Sequence, residues 1–112
     1  MAALRRFAFI GNSLPRRCGI ATFTTDLRQA IAASRPHSEN VILAMTDTGR
    51  HYDYPPVVLR QIDDQDLDEY ARAAAFLNTG GFDVVSLQHE FGIFGGESGS
   101  HILTLLSSLA MP

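Results

Sequence analysis

Gln88, His89 and Glu90 follow one another at the end of an apolar run, Phe82 to Leu87, and lead into Phe91, Gly92, Ile93, Phe94, Gly95 and Gly96. Bringing an amide, an imidazole and a carboxylate to the end of a buried strand is costly unless the groups are hydrogen-bonded or meet a ligand. As a neutral imidazole, His89 could donate to a hydroxyl or carbonyl-type oxygen; protonated, it could face developing negative charge. The bland alternative is a hydrogen-bonded structural histidine. For Glu90 the structural and functional readings stand even. Gly95 and Gly96, at the start of the helix that follows, offer backbone N–H groups to an anion.

A second stretch with chemical potential runs Asn12, Ser13, Leu14, Pro15, Arg16, Arg17, Cys18, Gly19. Glycine at the mouth of a helix lets a phosphate approach the backbone, and the helix terminus supplies positive potential. Arg16 and Arg17 could add charge from the side. The competing reading is a solvated loop with two surface arginines. Asp47, beyond the second strand, could sit near a ribose, although a turn-forming or solvated aspartate is the simpler expectation. Neither the dinucleotide fingerprint nor a P-loop is present, because Gly11 is followed by Asn12 and Ser13, and no glycine-lysine-serine or glycine-lysine-threonine run occurs. That disfavours hydride transfer and ordinary nucleotide hydrolysis. No metal site is expected: His89 and Glu90 point apart on an extended segment, and His37, His51 and His101 lack companions at ligand spacing. Ser98 to Ser100 does not directly follow a strand, so there is no nucleophile elbow. Cys18 could act as a nucleophile only if His89 reached it across a crevice.

These residues need a frame. Phe7 to Ile10, ending at Gly11, is apolar on both faces, as expected of a strand covered by helices on both sides. Ile20, Phe23, Leu27, Ala30 and Ile31 recur at helical spacing, with Thr22 or Gly19 as caps and an end near Ser34. Val41 to Met45 and Val57 to Leu59 read as strands. A helix from about Gln65 presents Leu67, Tyr70, Ala71, Ala74 and Leu77 on one face, and Gly80 and Gly81 stop it. Phe82 to Leu87 is the next strand. A last helix from near Glu97 to Leu109 turns Ile102, Leu105, Leu106 and Leu109 inward. The alternation implies an α/β fold with a mostly parallel, Rossmann-like sheet and right-handed crossovers. If the first strand is central, with Phe82 to Leu87 as its far neighbour, the two chemically unusual stretches line one crevice at the carboxyl edge, where such sheets bind ligands.

Bulk properties narrow the classes further. The 112 residues suit one domain, 1–112, with 46% hydrophobic and 19% charged residues. A net charge of −3 without runs of like charge argues against nucleic acid and polybasic membrane binding. Cys18 is the only cysteine, which fits a reducing, cytoplasmic setting. No stretch approaches the ~20 apolar residues of a membrane span. A helix ending at Met111 and Pro112 would ordinarily hand the chain to another strand, so the chain is expected to be the front part of a longer domain; a small, complete four-stranded sheet is the other option.

The run Pro15, Arg16, Arg17, Cys18, Gly19, Ile20, Ala21, Thr22, Phe23, Thr24, with Asp26 and Leu27, together with Gln88 through Gly96, resembles the amino-terminal domain of retaining, GT-B-fold glycosyltransferases of family 4 (glycosyl transferase group 1). The resemblance covers nearly the whole chain, from Phe7 to Pro112. It implies a two-domain enzyme in which a nucleotide-sugar donor is held mainly by the second Rossmann-like domain and the acceptor mainly by this one. By that resemblance His89 and Glu90 are the catalytic candidates, His89 reaching the transferred sugar and Glu90 orienting His89 or touching a hydroxyl. Arg17, Cys18, Gly19, Gly95 and Gly96 would form the nucleotide or phosphate side of the crevice. Transfer would proceed with retention through same-face attack as the diphosphate leaves, without a carboxylate nucleophile, a divalent metal or a cofactor. The family's paired-glutamate motif belongs to the second domain and is missing from these 112 residues. The fragment alone should therefore be inactive. A nucleotide-sugar epimerase or oxidoreductase would need the absent glycine fingerprint. The remaining alternative is a non-catalytic Rossmann-like nucleotide-binding or interaction module.

Overall fold

The computed structural model describes residues 5–16, 18–89 and 92–112. Strand β1, Arg6–Gly11, becomes fully buried from Ala8 onward, as its unbroken apolar sequence requires. Helix α1 follows over Gly19–Ser34, then strands β2, Glu39–Thr46, and β3, Val58–Asp63. Helix α2 spans Leu67–Thr79 and leads to β4, Val84–Leu87. A 3-10 turn at Glu97–Gly99 precedes the last helix, α3, His101–Ser108. The four strands form one sheet in the order β3-β2-β1-β4, and every pairing is parallel. Ile10 stands beside Leu43 on one side and Leu87 on the other.

The alternation of side chains sorts the core into two layers. On one face Ala8, Ile10, Val41, Leu43, Met45 and Ile62 pack beneath α2 and α3. On the other, Phe9, Ile42 and Ala44 pack beneath Leu27 and Ile31 of α1, with Tyr54, Val57 and Val58 alongside. The chain thus leaves β1 toward one face and β4 toward the other, although the two strands are neighbours. That divergence opens the crevice at which parallel α/β sheets bind ligands.

Several elements depart from the sequence expectations. β3 reaches Asp63 rather than stopping at Leu59. It is an edge strand with a register shift opposite Ile42 and Leu43, so Arg60, Gln61 and Asp63 are tolerated in it. Phe82 is buried but precedes β4, which begins at Val84. Phe23 was expected to face inward and is 54% exposed; the fully buried residues of α1 are the small Ala21 and Thr24, which let the helix lie close to the sheet. Leu67, Ala71 and Leu106 likewise face solvent, while Ala73 is buried instead. The last helix does not run continuously from Glu97, because Ser98 adopts φ 54° and Gly99 φ 77°. At the opposite end of the sheet the Asp83 carboxylate accepts the Arg5 and Arg6 backbone N–H groups at 2.7 and 2.9 Å, which lowers its pKa.

Candidate functional site

The first loop leaves β1 at Gly11 and enters α1 at Gly19. It folds back on itself through a turn in which Arg16 N–H donates to Ser13 C=O at 3.0 Å. Asn12 and Ser13 are buried at 3% and 1% exposure, so their polar groups need partners. Asn12 Nδ2 donates to Cys18 Sγ at 3.3 Å, while Asn12 Oδ1 accepts from the Arg16 guanidinium at 3.1 Å. The same Arg16 nitrogen donates to the Met45 carbonyl at 3.2 Å and pairs with Asp47 Oδ1 at 2.7 Å.

Cys18 is the N-cap of α1. Its backbone is extended, its Sγ accepts from Ala21 N–H at 3.4 Å, and its carbonyl accepts the Thr22 N–H at 3.3 Å. The sequence suggested Thr22 or Gly19 for that position; instead the Cys18 sulfur takes it, accepting from both Ala21 N–H and Asn12 Nδ2. Gly19 is exposed, and nothing lies within 4 Å of where its Cβ would be, so the mouth of α1 is open. Arg17 lies outside the described residues.

The second loop is built differently. Gln88 is buried at 7% exposure, its Nε2 donates to Ser86 Oγ at 2.8 Å, and its backbone N–H donates to Ile10 C=O at 2.8 Å. It presses on Gly11, where an added Cβ would stand 3.0 Å from both Gln88 Cβ and Thr24 Oγ1. The ends of β1 and β4 and the first turns of α1 therefore meet at a glycine. Ile93 and Phe94 drop into the core at 4% and 5% exposure. His89 is exposed at the same carboxyl edge, its ring centroid 5.6 Å from that of Phe94 with the planes 31° apart. Glu90 lies outside the described residues.

Gly95 and Gly96 are close-packed positions. The Gly95 N–H donates to the Tyr70 hydroxyl at 3.1 Å, its carbonyl accepts the His101 N–H at 3.0 Å, and an added Cβ would stand 1.9 Å from the Asp64 carbonyl oxygen. Tyr70 donates in turn to Asp64 C=O at 3.0 Å. Its burial raises the phenol pKa, while the Gly95 N–H works in the opposite direction. Gly96 has φ 81°, and a Cβ there would meet the His101 ring at 2.4 Å.

Arg16 is engaged by Asp47 rather than lending its charge freely to the crevice, while Asp47 also opens a turn, its carbonyl accepting the Arg50 N–H at 3.0 Å. Thirty-one positions separate Arg16 from Asp47, and nothing in local spacing signals that pair. Two cavities of ≈ 400 and ≈ 440 Å³ flank β3, the second lined by Tyr52, Tyr54 and Arg60, and neither is lined by the two loops. Tyr54 has a raised pKa through burial, opposed by its hydrogen bond with Thr46. Among the described residues no group of three or more His, Cys, Asp or Glu could hold a metal ion, and no helix is long and apolar enough to cross a membrane.

No family model, curated protein or solved structure matches this chain. What the site can do must be argued from its own residues. They provide an open helix mouth at Gly19, an exposed imidazole at His89, and a buried floor of Gly11, Asn12 and Gln88 between them. Such an edge is suited to a ligand carrying hydroxyls and an anionic group, with the helix mouth facing the anion and the imidazole a hydroxyl or oxyanion.

Proposed function

We propose that this chain is a Rossmann-like binding module whose crevice, between the Asn12 to Gly19 loop and the Gln88 to Gly96 loop, takes a nucleotide or sugar-phosphate ligand. The observation that carries this reading is the divergence of β1 and β4: adjacent parallel strands lead to helices on opposite faces, with the open mouth of α1 beside it.

The finer reading rests on the resemblance of the two loops to family 4 glycosyltransferases. On that reading the module is the acceptor-side domain of a two-domain GT-B enzyme, and a second Rossmann-like domain supplies most of the contacts to a nucleotide-sugar donor. His89 would touch the transferred sugar, and Glu90 would orient His89 or meet a hydroxyl. Cys18 would fix the first turn of α1 beside a phosphate by capping the Ala21 N–H through its side chain. The protein's contribution would be positioning and electrostatic stabilisation of the leaving diphosphate, with sugar transferred under retention. No transfer is expected from these 112 residues alone.

Calorimetric titration of the full-length gene product with GDP-, UDP- and ADP-glucose, repeated on His89→Ala and followed by a transfer assay, separates the two readings. Binding with transfer that collapses in the variant supports the glycosyltransferase. Binding without transfer supports the module alone. No binding to any of the three rejects the nucleotide-sugar ligand for both.

A further inference from the structure

The strongest feature outside the candidate ligand contacts is the polar chain that runs from the end of β2 into α1. Asp47 holds the Arg16 guanidinium at 2.7 Å, Arg16 holds Asn12 Oδ1 at 3.1 Å, Asn12 Nδ2 holds Cys18 Sγ at 3.3 Å, and Cys18 Sγ caps Ala21 N–H at 3.4 Å. The links share atoms: one Arg16 nitrogen serves Asp47, Asn12 and the Met45 carbonyl, and Cys18 Sγ accepts from both Asn12 and Ala21, so displacing one member disturbs the next. Arg16 is also fastened to the Met45 carbonyl, which belongs to a strand whose core residues are buried, and its side chain is only 19% exposed. An arginine whose charge is already balanced by a carboxylate at 2.7 Å has little left to offer an incoming anion. Yet it stands between a rigid strand and the loop that forms one wall of the crevice.

We infer that Arg16 and Asp47 are positioning residues: as one unit they fix the Asn12 to Cys18 loop and the first turn of α1, and Arg16 is not itself the anion contact of the site. The inference rests on the proposed crevice for its effect on ligand affinity, and on the free protein alone for its effect on loop order. It makes a prediction of opposite sign to the obvious alternative. If Arg16 were an anion contact restrained by Asp47, then Asp47→Asn would release it and strengthen binding of an anionic probe. If the pair sets the loop, the same substitution loosens the cap and weakens binding.

The deciding experiment is hydrogen exchange on the free wild-type chain and on Asp47→Asn, Arg16→Met and the double variant, followed by calorimetric titration of each with UDP. Local opening governs exchange at such amides. In Asp47→Asn the Arg16, Ala21 and Thr22 amides should exchange on the order of tenfold faster. Gln88 N–H and the α2 amides should hold their wild-type rates, which excludes general destabilisation. The affinity for UDP should fall in each single variant, and the double variant should be no worse than the poorer single one, as expected of residues acting as one unit. Tighter UDP binding by Asp47→Asn overturns the inference, as do unchanged exchange in the first turn of α1 and additive losses in the double variant. Should wild-type protein not bind UDP, the proposed ligand falls while exchange alone still decides the positioning role. Asp47→Glu, which keeps the charge, should restore most of the protection.

Discussion

The two loops that border the crevice are held by opposite means. The Asn12 to Gly19 loop hangs on a succession of polar links ending in a helix cap, and its outermost turn, Leu14 and Pro15, is exposed. The Gln88 to Gly96 loop is pinned by apolar burial of Ile93 and Phe94, and by the contact of Gly95 with Tyr70 and Asp64. These polar links join a buried Asn12 to the partly buried Arg16 and Cys18, and each such link contributes only about 0.5–1.5 kcal/mol net. Buried aromatic side chains and backbone contacts are strong and leave little room to move. The second loop is therefore part of the fold that happens to present His89, and the first is the adjustable wall. Changes in the second loop should register as lost stability, and changes in the first as altered local order and ligand affinity.

The largest expected effects come from the second loop. Phe94→Ala should destabilise the protein by roughly 3–5 kcal/mol, the usual cost of emptying a buried aromatic site. Gly95→Ala sets a methyl group 1.9 Å from a backbone oxygen that cannot rotate aside, and should cost about 3 kcal/mol through displacement of the Asp64 turn. Urea unfolding followed by circular dichroism measures both. If either variant unfolded at the wild-type midpoint, the loop would not be pinned by the core, and the contrast would fail.

Tyr70→Phe probes the same anchor more gently. Removing the hydroxyl leaves the Gly95 N–H and Asp64 C=O without this partner, at a cost of roughly 1–3 kcal/mol. The phenol also predicts a pH dependence. Burial raises the Tyr70 pKa above its ordinary 10.0, and that of Tyr54 likewise. Well below pH 10.0 both phenols are neutral in the folded and unfolded states, so they contribute no slope. As pH rises beyond that value the unfolded chain loses its protons first, and stability falls until the folded-state pKa is passed. Thermal melts at increasing alkaline pH should show that decline, and Tyr70→Phe should make it shallower. An equally steep decline in the variant would mean that Tyr70 carries none of it.

How much of this was legible in the sequence follows the same division. β1, β2 and the span of α1 were readable because continuous apolar runs and helical spacing are local signals. The crevice was readable through strand order, since only a central β1 brings its loop beside that of β4. β3 was under-read because Arg60, Gln61 and Asp63 do not look like strand residues until a neighbouring β2 and an exposed edge explain them. The inward face of α1 was misjudged at Phe23, because hydrophobicity alone does not reveal that Thr24 must approach Gly11. In the site, the open Gly19 was legible. The packing role of Gly95 was not, because its partners Tyr70 and Asp64 come from a distant turn. The Arg16 and Asp47 pair was hidden for the same reason, and Arg17 and Glu90 lie outside the described residues.

The smallest effect belongs to the first loop and tests the contrast most finely. Cys18→Ala removes the acceptor of the Ala21 N–H and of Asn12 Nδ2, and should cost about 1 kcal/mol, typical of a lost N-cap. Cys18→Ser keeps an acceptor of the usual capping kind and should match or slightly exceed the wild type in denaturant midpoint. The pair separates capping from thiol chemistry, since Ser retains the hydrogen bonds and lacks the sulfur. A Cys18→Ala loss as large as that of Phe94→Ala would make the first loop as much a part of the core as the second. A small loss accompanied by faster exchange at Ala21 would instead locate the adjustable wall at the mouth of α1, where a ligand would need it.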